Sequence, residues 1–192
     1  MGSTISSEAT QRDHQHYRNM ARQNAVKRQE YIEKSKAAYS SGNGAKAKEL
    51  SLIAKNYEKE MARCDNIAKD IVFEFYNSSK PPNEIDLHGL KVREALDITR
   101  ERLAKFIKNK ETNLIIIVGR GNNSVNGVAK IKPAVIELVK EYRIKATPNK
   151  PNQGCIFVEP LPSNQGFDFS WIDGFFRGIF QKLLSTIFGP WQ

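Results

Sequence analysis

The run Ile85-Asp86-Leu87-His88-Gly89 sets a carboxylate and an imidazole two residues apart. Ile85 and Leu87 alternate with Asp86 and His88, the period-2 pattern of a strand with one buried face, so the polar pair projects from one side. Gly89 ends the run and a helical pattern follows, and in open α/β sheets ligands bind beyond the carboxyl ends of strands. An imidazole there can take a proton at neutral pH while the carboxylate fixes its tautomer. The pair could also serve as two metal ligands, but a metal site needs more donors than these. The bland readings are a helix cap for Asp86 and a satisfied edge histidine for His88.

A second cluster follows the apolar run Leu114-Ile115-Ile116-Ile117-Val118, which reads as a strand buried on both faces. It is Gly119-Arg120-Gly121-Asn122-Asn123-Ser124, with Lys130 and Lys132 further on at the start of the next helix. Glycines let main-chain N–H groups approach an anion closely. Arg120 adds a fixed fork of donors suited to phosphate, or else is a surface charge.

The elements that must position these groups are legible. A strand over Glu84–His88 precedes a helix that ends near Lys110, with Val92, Ala95, Leu96, Leu103, Phe106 and Ile107 on one face. The strand Leu114–Val118 comes next, so a right-handed βαβ unit with parallel strands is expected, and both strand ends lie on one sheet edge. A helix from about Ile131 to Tyr142 carries Pro133 in its first turn, with Val135, Ile136, Leu138 and Val139 toward the core. Strands over Arg143–Thr147 and Gly154–Glu159 close the unit. The expected fold class is α/β, of order β-α-β-α-β-β, over residues 84–160.

Upstream, residues 1–13 show no periodicity and are expected to be disordered. His14–Tyr39 lacks Pro and Gly and reads as a helix, broken by Ser40-Ser41-Gly42-Asn43-Gly44. From Ala45 to Tyr76, apolar residues at Ala47, Leu50, Ala54, Tyr57, Met61, Cys64, Ala68, Ile71 and Phe75 follow steps of three and four, a heptad seam. Residues 14–77 are therefore expected to form an antiparallel αα-hairpin, either a spacer arm or a surface that meets RNA directly. Polar residues 78–83, with Pro81-Pro82, form the expected linker.

Residues 161–192 differ in character. Apolar pairs from Trp171-Ile172 to Ile187-Phe188 recur every four residues, which describes an amphipathic helix with a wide, spiralling apolar face. Asp173, Arg177 and Lys182 each disfavour a bilayer centre by roughly 2.5–3.5 kcal/mol, so no transmembrane segment is expected. This aromatic tail could fold onto the rest of the chain, bind a partner or a second copy through 167–191, or lie shallowly on a membrane.

The 192 residues carry a formal charge of +9. Residues 1–80 hold 14 Lys and Arg against 10 acids, residues 81–160 hold 14 against 9, and the tail is neutral. Such an excess favours a polyanion, through counterion release, though it also serves solubility. Cys64 and Cys155 stand in no metal or redox spacing and read as inert core thiols, consistent with a reducing compartment. The N-terminus lacks the apolar region of a secretory signal, which points to the cytoplasm or nucleus. Met-Gly-Ser-Thr-Ile-Ser matches the N-myristoylation pattern, one short enough to occur by chance.

Taken in order, Ile85-Asp86-Leu87-His88-Gly89-Leu90, Glu94-Ala95-Leu96, Gly119-Arg120-Gly121-x-x-Ser124 and Gly127-x-Ala129-x-Ile131-Lys132-Pro133-Ala134-Val135 resemble the Smr (small MutS-related) domain. Tyr17-Arg18, Arg28, Ala38-Tyr39, Ser41-Gly42, Ala47-Lys48-Glu49-Leu50-Ser51 and Asn77 resemble the helical extension that often precedes it in eukaryotes. The resemblance implies a small α/β sandwich similar to the C-terminal domain of bacterial translation initiation factor three. It further implies nucleic-acid binding, with RNA the expected partner, DNA not excluded and the ribosome a candidate. Several members are endonucleases, and some eukaryotic ones cut mRNA at stalled ribosomes. Carried over, it points to Asp86, His88 and Arg120 as the catalytic trio, working without cofactor or metal. It also points to Gly119, Arg120, Gly121, Asn122, Asn123, Ser124, Lys130 and Lys132 as the nucleic-acid contacts. Two positions depart from the pattern: Asn123 stands where many members have His, and Lys91 replaces a small hydroxyl residue. Asn123 removes a candidate acid or base, which leaves open a module that binds RNA or ribosomes without cutting, or an adaptor acting through the tail.

Overall fold

A left-handed glycine reverses the chain between the first two helices. Gly42 takes φ +82° in the turn after α1 (Gly2–Ser40), and α2 (Gly44–Asn77) follows. The Asn43 side chain caps α2 by accepting from the Lys46 N–H at 3.0 Å, which satisfies one of the unpaired donors of its first turn. The computed structural model describes the backbone of residues 2–121, 129–142 and 144–161, with side chains from Thr10 onward. The expectation for 1–13 is corrected: α1 begins at Gly2. Once a helix is nucleated each further residue adds one hydrogen bond, and no Gly or Pro interrupts the stretch after Gly2.

The two helices pack as an antiparallel hairpin, with Ala21 of α1 buried against a seam of α2. Ala47, Leu50, Ala54, Cys64 and Ala68 of the expected heptad are buried, and the small residues let the helices approach closely. Tyr31 and Tyr57 stack across the pair at 5.4 Å. Beyond Ala68 the seam departs from the expectation. Val72, not Ile71 or Phe75, is buried, and Phe75 is exposed. A 3.5-residue repeat drifts by about 20° per heptad on a straight helix, so the inward stripe moves to Ala68, Val72 and Tyr76 in steps of four. That last turn faces the α/β part of the chain.

Residues 78–83, expected as a linker, turn tightly: the Lys80 N–H donates to Asn77 O and the Glu84 N–H to Pro81 O. The chain divides into a compact unit, Met1–Glu159, and a second, Pro160–Gln192. The aromatic tail lies outside the described residues.

The α/β part contains β1 (Glu84–Asp86), α3 (Val92–Lys108), β2 (Leu114–Ile117), α4 (Ile131–Glu141), β3 (Lys145–Pro148) and β4 (Cys155–Glu159). Sheet order is β1-β2-β4-β3. β1 runs parallel to β2, as the βαβ reading requires, and the other two pairings are antiparallel. Leu114, Ile116, Ile156 and Val158 share one face, where they meet Ala95, Leu103 and Phe106 of α3 and Val135, Leu138 and Val139 of α4 in the core. Each such aliphatic side chain contributes roughly 1.5–3 kcal/mol when fully buried. Thr99 is the polar member of that core, and its hydroxyl is satisfied by Ala95 O at 2.7 Å. Both cysteines are buried and unpaired. Among the described residues, no helix is long and apolar enough to cross a membrane.

Candidate functional site

Strand β1 stops at Asp86, two residues short of the expected end, because the chain there turns toward the hairpin. The Leu87 N–H still donates to Ile117 O at 2.8 Å, and Gly89 then takes φ +80°. A side chain at Gly89 would meet Val72 Cγ1 at 3.3 Å and Tyr76 Cε2 at 3.7 Å, so glycine is what lets this turn close onto α2. Asn77, the last residue of α2, clamps the strand end. Its Nδ2 donates to Asp86 O at 2.8 Å, and its Oδ1 accepts from the Asp86 N–H at 2.7 Å.

Asp86 is buried, at 5% exposure, and its Oδ1 takes two bonds from His88, one from the backbone N–H at 3.1 Å and one with ring Nδ1. The pair that the i, i+2 spacing placed on one side is therefore bonded. A carboxylate on Nδ1 fixes the imidazole tautomer with Nε2 free to accept a proton. The His88 side chain is 41% exposed. Its ring lies against Tyr76, with centroids 3.9 Å apart.

The loop after β2 is pinned by a single carbonyl: Gly154 O accepts from the Val118 and Gly119 N–H groups at 2.8 and 3.1 Å. Gly119 and Gly121 both lie in the left-handed region, at φ +72° and +86°. A Cβ on Gly119 would stand 3.5 Å from His88 Cβ, which puts the two strand ends side by side. A Cβ on Gly121 would fall 2.6 Å from Ala129 N, inside contact distance with the backbone. Arg120 between them is exposed and makes no ion pair among the described residues.

These parts border one cleft of about 580 Å³. One side comes from the α/β part, with His88, Gly119, Arg120, Gly121 and Lys130. The other comes from the hairpin, with Gln11, His14, Val72 and Tyr76. Ile131, the first residue of α4, also lines it, so the positive end of that helix borders the cleft beside Arg120 and Lys130. Lys132 does not line it. Its ammonium is held by Asn149 Oδ1 at 2.5 Å and Gln153 O at 2.7 Å, where it ties α4 to the β3–β4 turn. Asn122, Asn123 and Ser124 lie outside the described residues. Among the described residues no group of three or more His, Cys, Asp or Glu gathers as a metal site.

The hairpin is fixed against this site by a buried ion network. Arg18, at 7% exposure, grips Glu94 through both carboxylate oxygens at 2.7 and 2.6 Å and reaches Asp65 Oδ1 at 2.9 Å. Lys91 adds a bond to Asp65 at 2.6 Å, while its N–H donates to Glu94 Oε2 at 2.9 Å. A lysine has no acceptor with which to cap a helix, so at this position it bridges instead. Burial pushes the Asp65 carboxyl up, but the bonds from Lys91 and Arg18 outweigh that and leave it below its ordinary value.

Sequence reasoning missed His14, Tyr76 and the clamp role of Asn77. His14 is half-buried, and its Nδ1 is buried with no hydrogen-bond partner. Burial and then the Arg18 charge draw the imidazole below its ordinary value, against the opposing pull of Glu94. It sits on a polar helix with no periodic signal around it. Tyr76 and Asn77 belong to the end of α2, where only the packing of α2 on β1 gives them a task.

Residues 85–159 match the family model for the Smr domain, and residues 14–77 match one described as a domain of unknown function, DUF1771. A Smr domain-containing protein of Schizosaccharomyces pombe is 37% identical over 151 residues, covering 79% of this chain and 72% of that one. Endonuclease NBR9 of Saccharomyces cerevisiae is 36% identical over 151 residues, with 79% and 63% covered. NEDD4-binding protein 2 of Homo sapiens is 36% identical over 148 residues, 74% of this chain but 8% of that protein. Of solved structures, the solution structure of the B3BP Smr domain is similar at 36% identity and a TM-score of 0.40, covering 50% of this chain and 96% of that one. With its α/β order, its hairpin and its matched relatives, this chain belongs to the Smr domain-containing proteins.

Proposed function

We propose that this protein binds single-stranded RNA in the cleft beside His88 and cuts it by attack of the 2′-hydroxyl on the adjacent phosphorus. The observation that carries the reading is the convergence of the bonded Asp86–His88 pair and the Gly119–Arg120 loop on one cleft. His88 Nε2 takes the 2′-hydroxyl proton while Asp86 holds Nδ1. The new O2′–P bond forms, the P–O5′ bond breaks, and the leaving oxygen takes its proton from water. The products are a 2′,3′-cyclic phosphate and a 5′-hydroxyl. Arg120 and the start of α4 offset the charge on the phosphorane oxygens. Water supplies the last proton because Asp86 is buried and occupied by His88, which makes it a poor donor to the leaving group.

A relative named an endonuclease supports the cleavage reading. On the family resemblance, the setting we infer is mRNA turnover at ribosomes in the cytoplasm. The substitution of Asn123 for the loop histidine favours a second reading, a module that binds RNA without cutting it.

The test incubates end-labelled single-stranded RNA, in EDTA, with the full chain and its His88→Ala and Arg120→Ala variants. The expected result is a cyclic-phosphate product from the wild type, reduced roughly 10²-fold or more by His88→Ala. Arg120→Ala is expected to weaken both cleavage and binding. Binding without cleavage by the wild type would leave the second reading. Cleavage that survives both substitutions would overturn the residue assignment.

A further inference from the structure

The hairpin wall of the cleft carries an imidazole for which the proposed chemistry has no task. Gln11 and His14 lie three residues apart on α1, hence on one face of that helix, and both border the cleft that holds His88 and Arg120. His14 Nδ1 is buried without a partner, so Nε2 is the ring nitrogen left to meet a ligand. We infer that His14 is a substrate contact, a neutral imidazole that donates from Nε2 to a phosphate oxygen of the bound RNA, and that α1 thereby forms part of the binding surface.

The tautomer follows from geometry. A proton on Nδ1 would be a buried N–H with no acceptor, the costlier kind of unpaired group. The ring therefore carries its proton on Nε2, where it is a donor. A second proton would fall on the buried Nδ1. Burial first, and then the Arg18 charge, hold the ring below its ordinary value against the opposing pull of Glu94, so it stays neutral at neutral pH. A neutral donor suits a phosphate in a cleft already charged by Arg120 and Lys130, because it adds direction without further desolvating a charge. The Arg18–Glu94 bonds hold α1 against the start of α3, which keeps His14 at the cleft.

This inference rests on the RNA-binding reading above, and the experiment separates the two. Binding of a fluorescent 2′-O-methyl RNA, which lacks the attacking hydroxyl and is not consumed, is measured by anisotropy at fixed salt. The full chain is compared with His14→Ala, His14→Gln and His14→Phe, with thermal melting of each. Gln keeps an N–H donor near the Nε2 position, whereas Phe keeps the ring volume and no nitrogen. The expected result is about tenfold weaker binding for Ala and Phe, near-wild-type binding for Gln and unchanged melting for all three. Wild-type binding in all variants would overturn the contact and leave the RNA reading intact. Recovery by Phe and not by Gln would assign His14 to packing and overturn the contact as well. Failure of the wild type to bind would overturn the RNA reading and this inference with it.

Discussion

The Asn77 side chain holds the backbone of Asp86 from both directions, donating to its carbonyl and accepting from its N–H at 2.8 and 2.7 Å. The end of α2 thus completes the hydrogen bonding of β1 where the sheet has no further strand. Asn77→Ala leaves two backbone groups unpaired next to a buried carboxylate. The expected loss is about 1–3 kcal/mol in urea unfolding. Cleavage is expected to fall further than binding of 2′-O-methyl RNA, because Asp86 is what orients His88.

Asp86→Asn tests that orientation directly. An amide facing Nδ1 can present its N–H and select the opposite tautomer, which removes the free base at Nε2. Cleavage is expected to drop roughly 10²–10⁴-fold. RNA affinity should stay within about twofold of wild type, read by anisotropy, because charged and polar contacts to phosphate dominate affinity.

Arg18 joins α1 to α2 and to α3 through Asp65 and Glu94. Arg18→Ala strips Glu94 of both guanidinium bonds, leaving it the Lys91 N–H, and leaves Asp65 to Lys91 alone. A loss of about 3 kcal/mol is expected. That is the low end for a broken buried pair, since both acids keep some contact with water. The pH dependence has a definite sign. The folded Asp65 carboxyl lies below its ordinary 3.8, so its contribution is complete above that pH and is lost as the pH falls through the lowered folded value. Unfolding curves below pH 4 should therefore fall more steeply for the wild type than for Asp65→Asn.

Two glycines with similar backbone angles should respond differently to alanine. At Gly42, φ +82°, an added Cβ meets nothing within 4 Å, so Gly42→Ala is expected to cost only the left-handed penalty of about 1–2 kcal/mol. At Gly121, φ +86°, it collides with the Ala129 backbone, so the loop must move and take Arg120 with it. Gly121→Ala should lose RNA affinity and cleavage together while Gly42→Ala retains both, measured on the same RNA with melting as control.

Sequence alone determined the order of elements, because periodicities of two and 3.6 are local properties of the chain. Leu114–Val118 read as a strand buried on both faces; it is a strand with Leu114 and Ile116 buried and Ile115 and Ile117 half-buried. The strand at Glu84–His88 followed by a helix implied its parallel partner. Those two facts already put His88 and Gly119 at one edge. The heptad in α2 showed the hairpin as far as Ala68, and there local reasoning ended. Which way Val72 and Tyr76 face depends on what α2 packs against, and that surface comes from residues 85–90, beyond the end of the helix. The same holds for Arg18, which the family resemblance singled out without a task until Glu94, 76 residues away, was brought to it. The family resemblance pointed to Lys132 as a nucleic-acid contact, but the β3–β4 turn occupies its ammonium. A strand end becomes a site, or a cation a brace, only when distant segments of chain supply its neighbours, and no local pattern encodes those distances.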